Sequence, residues 1–150
     1  MKFLLVVMLA LVLGALAYVR LAPYDAARWH VAPDPMQPGD TESAVRFIAA
    51  REMTAAQQDV LRALDRVIMA TARTKRLSGS VAQDMITYQT RSRLFGFPDY
   101  TTVTIQAAQD TTNLLLVIHG RLRFGGSDMG VNRTRIIGWL TALGPLTVAP

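Results

Sequence analysis

The stretch "MITYQTRSRLF", residues 85–95, alternates apolar and polar side chains in the way that is typical of a β-strand. The same period of two returns in "YTTVTIQA" (100–107) and in "NLLLVIHGRLRF" (113–124). Short, turn-like connections, "GFPD" and "AQDTT", separate the three runs, so an antiparallel β-meander is the economical arrangement. Each strand has one apolar face and one polar face, which indicates a sheet that is covered on one side.

Two helices are predicted to cover the apolar face. Thr54 and Gln57 form a capping box at the start of an amphipathic helix that ends near "RTKR" (73–76). A second helix is predicted over residues 131–143, and weak alternation over residues 43–49 predicts an edge strand. The sequence therefore predicts an α+β fold: a small antiparallel β-meander covered on one face by a long amphipathic helix and a C-terminal helix.

An apolar run at residues 3–19 precedes this domain and predicts an N-terminal transmembrane anchor. As a helix its 17 residues would span about 26 Å, close to the roughly 30 Å hydrocarbon core of a bilayer, and Lys2 and Arg20 can extend that reach. A cleaved signal peptide is the alternative, because "ALA" at 15–17 fits a cleavage site. We favour a signal-anchor at residues 1–20, since the apolar run continues past that site.

The rest of the chain divides into a linker at residues 21–42, a single α+β domain at 43–144 and a tail at 145–150. Four prolines make the linker a semi-rigid spacer that holds the domain away from the membrane. Tyr24 and Trp29 either lie at the membrane interface or pack against the domain. We expect a single-pass inner-membrane protein with a periplasmic domain, or a secreted or periplasmic protein if the leader is cleaved.

The charge and composition of the chain limit its chemistry. Residues 73–135 carry nine Lys and Arg against four Asp, which favours an anionic partner or a solvated basic face. The chain has no cysteine, so thiolate catalysis is excluded. No cofactor and no metal site are expected, because no nucleotide-binding fingerprint is present and the aspartates are scattered. A nucleic-acid partner is not expected either, since the aromatic residues fit core or loop positions.

The meander predicts that four arginines meet at one end of the sheet. The first and third strands of a meander run in the same direction, so their carboxyl ends lie together. Arg91 and Arg93 lie near the end of the first strand, and Arg121 and Arg123 lie near the end of the third. Within each pair the period of two puts both side chains on the polar face. The loop "GGSDMGVNRTR" (125–135) emerges at the same end and leads into the last helix.

Two interpretations of this arginine-lined edge are open, and they are compatible. In one, arginine forks and the N-terminus of the last helix bind an anion. In the other, Asp99 and Asp128 neutralise the arginines, and Ser127 or Asp128 caps the helix, which makes a polar clasp. The candidate ligand-binding residues are Arg91, Arg93, Arg121, Arg123, Ser127, Asp128, Asn132 and Arg133. The loop residues with a structural role are Gly96, Phe97, Asp99, Gly125 and Gly130.

These two segments resemble the bacterial and plant family catalogued as domain of unknown function 1499. The resemblance lies in "TRSRLFGFPDYTTV" and in "GRLRFGGSDMGVNRTRI", and it covers residues 54–143. The second segment is similar to the signature R-x-R-x-G-x-S-D-x-G-x-N-R of that family. Many members carry two acids after the Phe, where this chain has Pro98 and Asp99. The resemblance implies a helix packed on a small antiparallel sheet and frequent membrane anchoring, with no established activity, substrate or cofactor.

The leading functional hypothesis is a non-enzymatic envelope module that binds an anionic ligand or a lipid headgroup at the arginine-lined edge. The alternative is a structural or assembly partner within an envelope protein complex. A third hypothesis is an unrecognised hydrolase that uses His119 or Asp128. The catalytic residues of such an enzyme are unknown, because no nucleophile elbow and no paired carboxylates are present.

Overall fold

In the computed structural model, which describes residues 1–34, 36–109 and 112–148, six strands form one antiparallel sheet in the order β1-β2-β6-β5-β4-β3. The strands are β1 (Gly39–Ser43), β2 (Arg46–Glu52), β3 (Thr74–Ser80), β4 (Met85–Arg91), β5 (Pro98–Ala107) and β6 (Leu114–Leu122). The helices are α1 (Lys2–Leu21), the single turn α2 (Ala26–Trp29), α3 (Gln57–Met69) and α4 (Val131–Leu143). Parts of the predicted linker (residue 35), turn (110 and 111) and tail (149 and 150) lie outside the described residues.

The predicted α+β fold is confirmed. Strands β4, β5 and β6 are consecutive neighbours, with Val103 of β5 opposite both Ile86 and Ile118. Helices α3 and α4 pack on this face of the sheet, and Leu64 and Ile136 are fully buried between the layers. Alternation along the strands thus correctly identified the residues that face the helices in the centre of the sheet.

The strands around this meander differ from the sequence prediction. The predicted edge strand at 43–49 corresponds to β2, which lies between β1 and β6 and is not at the edge. The edge is β1, whose five residues lack any apolar alternation. The helix predicted to reach residues 73–76 ends at Met69, and Thr74 already begins β3. Within β3, Arg76 forms an ion pair with Asp65 of α3 at 2.5 Å.

The capping box predicted for α3 is wrong. The helix begins after Ala56, which makes no side-chain cap. The Thr54 hydroxyl donates to the carbonyl of Pro145, and the Gln57 amide donates to Asp84 at 3.4 Å. The tail is joined to the sheet as well, because Thr147 pairs with Met53. Thr54 and Gln57 therefore bind other parts of the fold and do not cap the start of α3.

The face of the sheet opposite the helices is also covered, by the segment at residues 22–37 that was predicted to be a spacer. Trp29 is 6% exposed, and its ring lies 4.5 Å from that of Tyr100 on β5. Met36 packs on a second apolar cluster that includes Leu115 and Val117 of β6. A run of five apolar residues in β6 places large side chains on both faces, so the second face also needs cover. Tyr24 and Trp29 pack against the domain, which was one of their two predicted positions.

Candidate functional site

Arg91, Arg121 and Arg123 lie on the sheet face opposite the helices. Arg91 ends β4 and Arg123 follows β6 directly, so both lie at the same end of the sheet. Arg93 follows the end of β4 and is exposed, and Leu94 beside it is 78% exposed. The structure thus brings Arg91 and Arg93 together, while Arg123 lies at the end of β6, two strands away from β4, and Arg121 lies two residues earlier on β6.

The C-terminal end of α1 packs on this edge. Arg91 donates one hydrogen bond to the carbonyl of Gly96 at 2.7 Å and another to the carbonyl of Arg20 at 2.9 Å. Arg123 donates to the Tyr100 hydroxyl and, at 3.4 Å, to the carbonyl of Ala22. Arg91 and Arg123 therefore each donate only some of the five N–H groups of a guanidinium, and the acceptors are uncharged carbonyl and hydroxyl oxygens.

Two further contacts join α1 to the same edge. Arg20 donates to the carbonyl of Phe95 at 3.4 Å, and the ring of Tyr18 meets the ring of Phe124 edge-on at 5.9 Å. A Cβ atom on Gly96, whose φ is +72°, would lie 3.1 Å from Nε of Arg20. The close approach of Arg20 and the positive φ both favour glycine at this position.

A cleft of about 360 Å³ opens at this edge. It is lined by Arg20, Arg73, Arg91, Arg93, Ser92 and Gly96. No acidic side chain lines the cleft, and none of its four arginines forms an ion pair with a carboxylate in the described parts of the chain. We call it the arginine cleft. Arg20 and Arg73 were not predicted to belong to the site, because they precede the motif segments and reach it only through the packing of α1 and β3.

Arg121 is half-buried beneath the segment that covers this face of the sheet. It donates to the Thr102 hydroxyl at 2.6 Å and to the carbonyl of Trp29, and its guanidinium lies 5.3 Å from the centre of the Trp29 ring. Burial lowers the pKa of Arg121. Its position above the sheet is therefore fixed by the segment that covers this face.

The predicted pairing of Asp99 with the arginines of the edge is not found: Asp99 pairs with a different arginine, on the opposite face of the sheet. Asp99 forms a buried ion pair with Arg135 at 3.1 Å, and Arg135 also donates to the Asn132 side chain at 3.0 Å. Burial raises the pKa of Asp99, Arg135 lowers it, and Asp128 raises it. The acids expected to neutralise the arginine-lined edge lie on the helix side of the sheet, since Asp99 stands opposite Leu122. Arg135 was not among the predicted site residues, although it lies in the loop at residues 125–135.

The remaining loop residues build the start of α4. Asp128 accepts hydrogen bonds from the backbone N–H groups of Gly130 and Asn132, each at 3.0 Å, and from the Asn132 side chain at 2.7 Å. The Ser127 hydroxyl accepts from the backbone of Met129. Arg133 is exposed and lies 3.6 Å from Glu42. Ser127, Asp128, Asn132 and Arg133 therefore do not line the arginine cleft.

Phe97, Gly125 and Gly130, which were predicted to have a structural role, lie in the turns that follow β4 and β6. The backbone N–H of Phe97 donates to the Ser92 hydroxyl at 3.0 Å, which closes the turn between β4 and β5. Gly125 and Gly130 have φ of +106° and +77°, so both turns use conformations that favour glycine. These contacts shape the loops on either side of the edge.

His119 and Asp128 lie on different sides of the sheet. Burial, followed by the charges of Arg121 and Arg46, lowers the pKa of His119 to about 3. Among the described residues, no group of three His, Asp or Glu side chains is arranged to hold a metal ion. His119 and Asp128 therefore do not form an acid–base pair.

Helix α1 has the length and composition of a membrane-spanning helix. Its 20 residues bury no side chain in the protein, although a signal sequence near an N-terminus meets the same criterion. The arginine cleft lies at the C-terminal end of this helix because Arg20 lines it and bonds to Arg91 and Phe95.

Comparisons with known proteins agree with the motif resemblance. A model of the family described as "Protein of unknown function (DUF1499)" matches residues 30–143. No curated protein sequence matches the chain. Among solved structures, the chain is similar to protein MLL2253 from Mesorhizobium loti, a structural genomics target, with 11% identity and a TM-score of 0.46 over 65% of this chain and 93% of that one. Because the family model matches most of the chain, including both motif segments, this protein belongs to the DUF1499 family.

Proposed function

We propose that this protein is a membrane-anchored, non-enzymatic module that binds the headgroup of an anionic lipid in the arginine cleft. The observation that carries the proposal is the position of the cleft, which is built against the C-terminal end of the apolar helix α1. Four arginines line it without a carboxylate among their described neighbours. Arginine forks bind phosphate groups bidentately, so a lipid phosphate fits this chemistry.

The level of the cleft relative to the membrane supports a lipid as the source of the anion. The apolar run of α1 ends at Val19, and the next residue, Arg20, lines the cleft. With α1 across a bilayer, the cleft lies at the level of the headgroups. Leu94 and Phe95 beside it are 78% and 52% exposed. Apolar side chains at that level enter the boundary between headgroups and acyl chains, which holds the cleft on the membrane surface.

The proposal is tested with the full-length protein in neutral detergent and a water-soluble lipid, dihexanoylphosphatidylglycerol. We expect this lipid to bind at least tenfold more tightly than dihexanoylphosphatidylcholine, because the choline ammonium cancels the phosphate charge and is repelled by the arginines, whereas phosphatidylglycerol keeps a net negative charge. Replacing Arg91 and Arg93 with Gln removes that preference. The matched control is Arg62→Gln, since Arg62 is an exposed arginine that already pairs with Asp59.

Three outcomes separate the possibilities in this experiment. Equal binding of the two lipids, or equal effects of the cleft and control variants, contradicts the proposal. Glycerol phosphate that binds as tightly as the anionic lipid identifies a soluble phosphate as the ligand of the cleft. Unfolding temperatures of all variants are measured in parallel, so that a loss of folding is recognised.

The membrane topology that we propose is a single pass through the inner membrane with a periplasmic domain. The protein has no cysteine, so Ala82→Cys introduces one labelling site in an exposed turn. In intact cells with a permeable outer membrane, a membrane-impermeant maleimide should label this protein. Labelling only after cell lysis contradicts a periplasmic domain. The mass of the purified protein separates anchor from leader, since cleavage after Ala17 leaves Tyr18 as the first residue.

The second candidate is a structural role in an envelope protein complex, and one observation favours it. Met129 is 90% exposed with a φ of +51°, and Val131 beside it is 48% exposed. Exposed apolar side chains on a strained loop fit a contact with another protein. If Met129→Ser releases a protein that co-purifies with the wild type, this role is supported; unchanged co-purification contradicts it.

A further inference from the structure

A second cavity, of about 370 Å³, lies between residues 28–34 with Met36 and the sheet face formed by β2 and β6. Three arginines line it, Arg28, Arg46 and Arg121, together with His119 and, as the one acid among the described residues of the lining, Asp34. None of these residues lines the arginine cleft. The two sites can therefore be altered separately.

Two of these arginines face each other directly. Arg46 of β2 stands opposite Arg121 of β6 in the sheet, and like charges in such a pair repel each other. In the described chain, neither of them forms an ion pair, and neither does Arg28. The contrast is Arg51 on the same strand, whose charge meets Asp40 at 2.7 Å. An anion between Arg46 and Arg121 would turn this repulsion into attraction.

Three buried polar atoms at this cavity have no hydrogen-bond partner among the described residues. They are both ring nitrogens of His119, which is 7% exposed, and Nε of Arg121. Buried polar atoms in folded proteins are nearly always hydrogen-bonded, so this concentration needs an explanation. The N–H of a neutral imidazole and the Nε–H of an arginine are both donors. Their natural partner is an oxygen atom of a ligand.

We propose that this cavity binds a small organic anion whose carboxylate or phosphate group lies between Arg46 and Arg121 and accepts a hydrogen bond from His119. The rest of the lining supports an organic ligand over a bare inorganic ion. Val31, Met36 and Ile48 contribute apolar surface beside the arginines. A short hydrocarbon part of the ligand packs there.

The test follows His119 by nuclear magnetic resonance in the full-length protein, held in zwitterionic detergent micelles. The chain has two histidines, so selective labelling gives two sets of imidazole signals, and His119→Gln assigns them. Acetate, butyrate, inorganic phosphate and butyl phosphate are titrated at constant ionic strength, with chloride as the reference. We expect butyrate or butyl phosphate to shift the His119 signals in a saturable way. The tighter of the two identifies the charged group.

The expected affinities follow from the two parts of the cavity. Each buried methylene strengthens binding about fourfold, so butyrate should bind roughly fifteenfold more tightly than acetate. Arg46→Gln should weaken binding at least tenfold, whereas Arg62→Gln should leave it unchanged. Signals of His119 that respond to none of the four anions beyond chloride overturn the proposal. An Arg46→Gln protein that binds like Arg62→Gln overturns it as well.

The outcome is independent of the lipid site. Replacement of Arg91 and Arg93 leaves the butyrate or butyl phosphate titration unchanged, and Arg46→Gln leaves the preference for anionic lipid unchanged. Loss of both binding activities in either variant, with folding intact, shows one continuous site and contradicts the separate cavity. Because Arg46→Gln removes a repulsive pair, its unfolding temperature should equal or exceed that of the wild type.

Discussion

The buried histidine gives the protein a pH dependence whose sign and size can be worked out. The pKa of His119 is about 3 in the folded protein, against 6.5 for an unperturbed histidine. Below pH 6.5 the unfolded chain takes up a proton at this residue, while the folded protein does not until the pH nears 3. The free energy of unfolding therefore falls as the pH drops through this window. The loss approaches about 1.4 kcal/mol per pH unit, which is about 2 kcal/mol at pH 5.

The assay compares urea unfolding at pH 7 and pH 5 for the wild type and for His119→Gln, both full-length in zwitterionic detergent. Glutamine keeps a polar side chain without the titration. Between the two pH values, the wild type should lose about 2 kcal/mol more than the variant. The loss of unfolding free energy is taken within each protein, between pH 7 and pH 5, and then compared between the two proteins. The contributions of carboxylates that both proteins share cancel in that comparison, and so does any cost of the substitution at pH 7. Arg62→Gln, distant from the cavity, should show the wild-type loss.

An equal loss in wild type and His119→Gln would refute the reasoning. It would mean that the folded protein accepts a proton on His119 at ordinary pH, and hence that water or a counter-charge reaches the ring. The charges around the cavity argue against that result, since Arg28, Arg46 and Arg121 line it with His119, and Asp34 is the one acid among the described residues of the lining.

Four further single substitutions and one double substitution test the packing on both faces of the sheet. Asp99→Asn leaves Arg135 buried without its counter-charge and should cost about 3–5 kcal/mol in urea unfolding, and the added Arg135→Met should recover part of that loss. Gly120→Ala puts a Cβ 2.8 Å from Cδ1 of Ile136 and should lower the free energy of unfolding by about 1–3 kcal/mol. Gly138 of α4 has open space around it, so Gly138→Ala should raise the free energy of unfolding by about 0.5–1 kcal/mol. A gain from both glycine substitutions would mean that α4 is not held against β6. Trp29→Ala should cost about 3–5 kcal/mol by thermal or urea unfolding, and a cost below about 1 kcal/mol would mean that this segment is a spacer after all.

The sequence predicts an element well where burial leaves a periodic pattern. Strands β4, β5 and β6 carry that pattern in their central residues, and α3 carries the helical one. The residues of β1 and β3 are mostly polar or only partly buried, because both strands lie at the edges of the sheet. Without an apolar face, nothing in their composition separates them from a linker or a helix end.

In the candidate site as well, the sequence predicts the positions of residues in the periodic strands but not of residues outside them. Alternation alone put Arg91 and Arg123 on one face at one end of the sheet, and both are found there. It could also have placed Asp99, which is opposite Leu122 and therefore faces the helices, away from the arginines it was expected to neutralise. Arg20 and Arg73 were beyond reach, because only the packing of α1 and the unpredicted β3 bring them to the cleft.

The C-terminal end of α1 builds part of the arginine cleft, and the segment between α1 and β1 builds part of the second cavity. Arg20 lines the arginine cleft, and the carbonyl of Ala22 holds Arg123. Further along, Arg28 and Asp34 line the second cavity, while the carbonyl of Trp29 holds Arg121. All of these residues follow Ala17, so cleavage there would leave both sites assembled in a soluble protein. A fragment that begins at β1 would lose the cover of the second sheet face and part of each lining, so any soluble version used for ligand binding must begin at or before Tyr18.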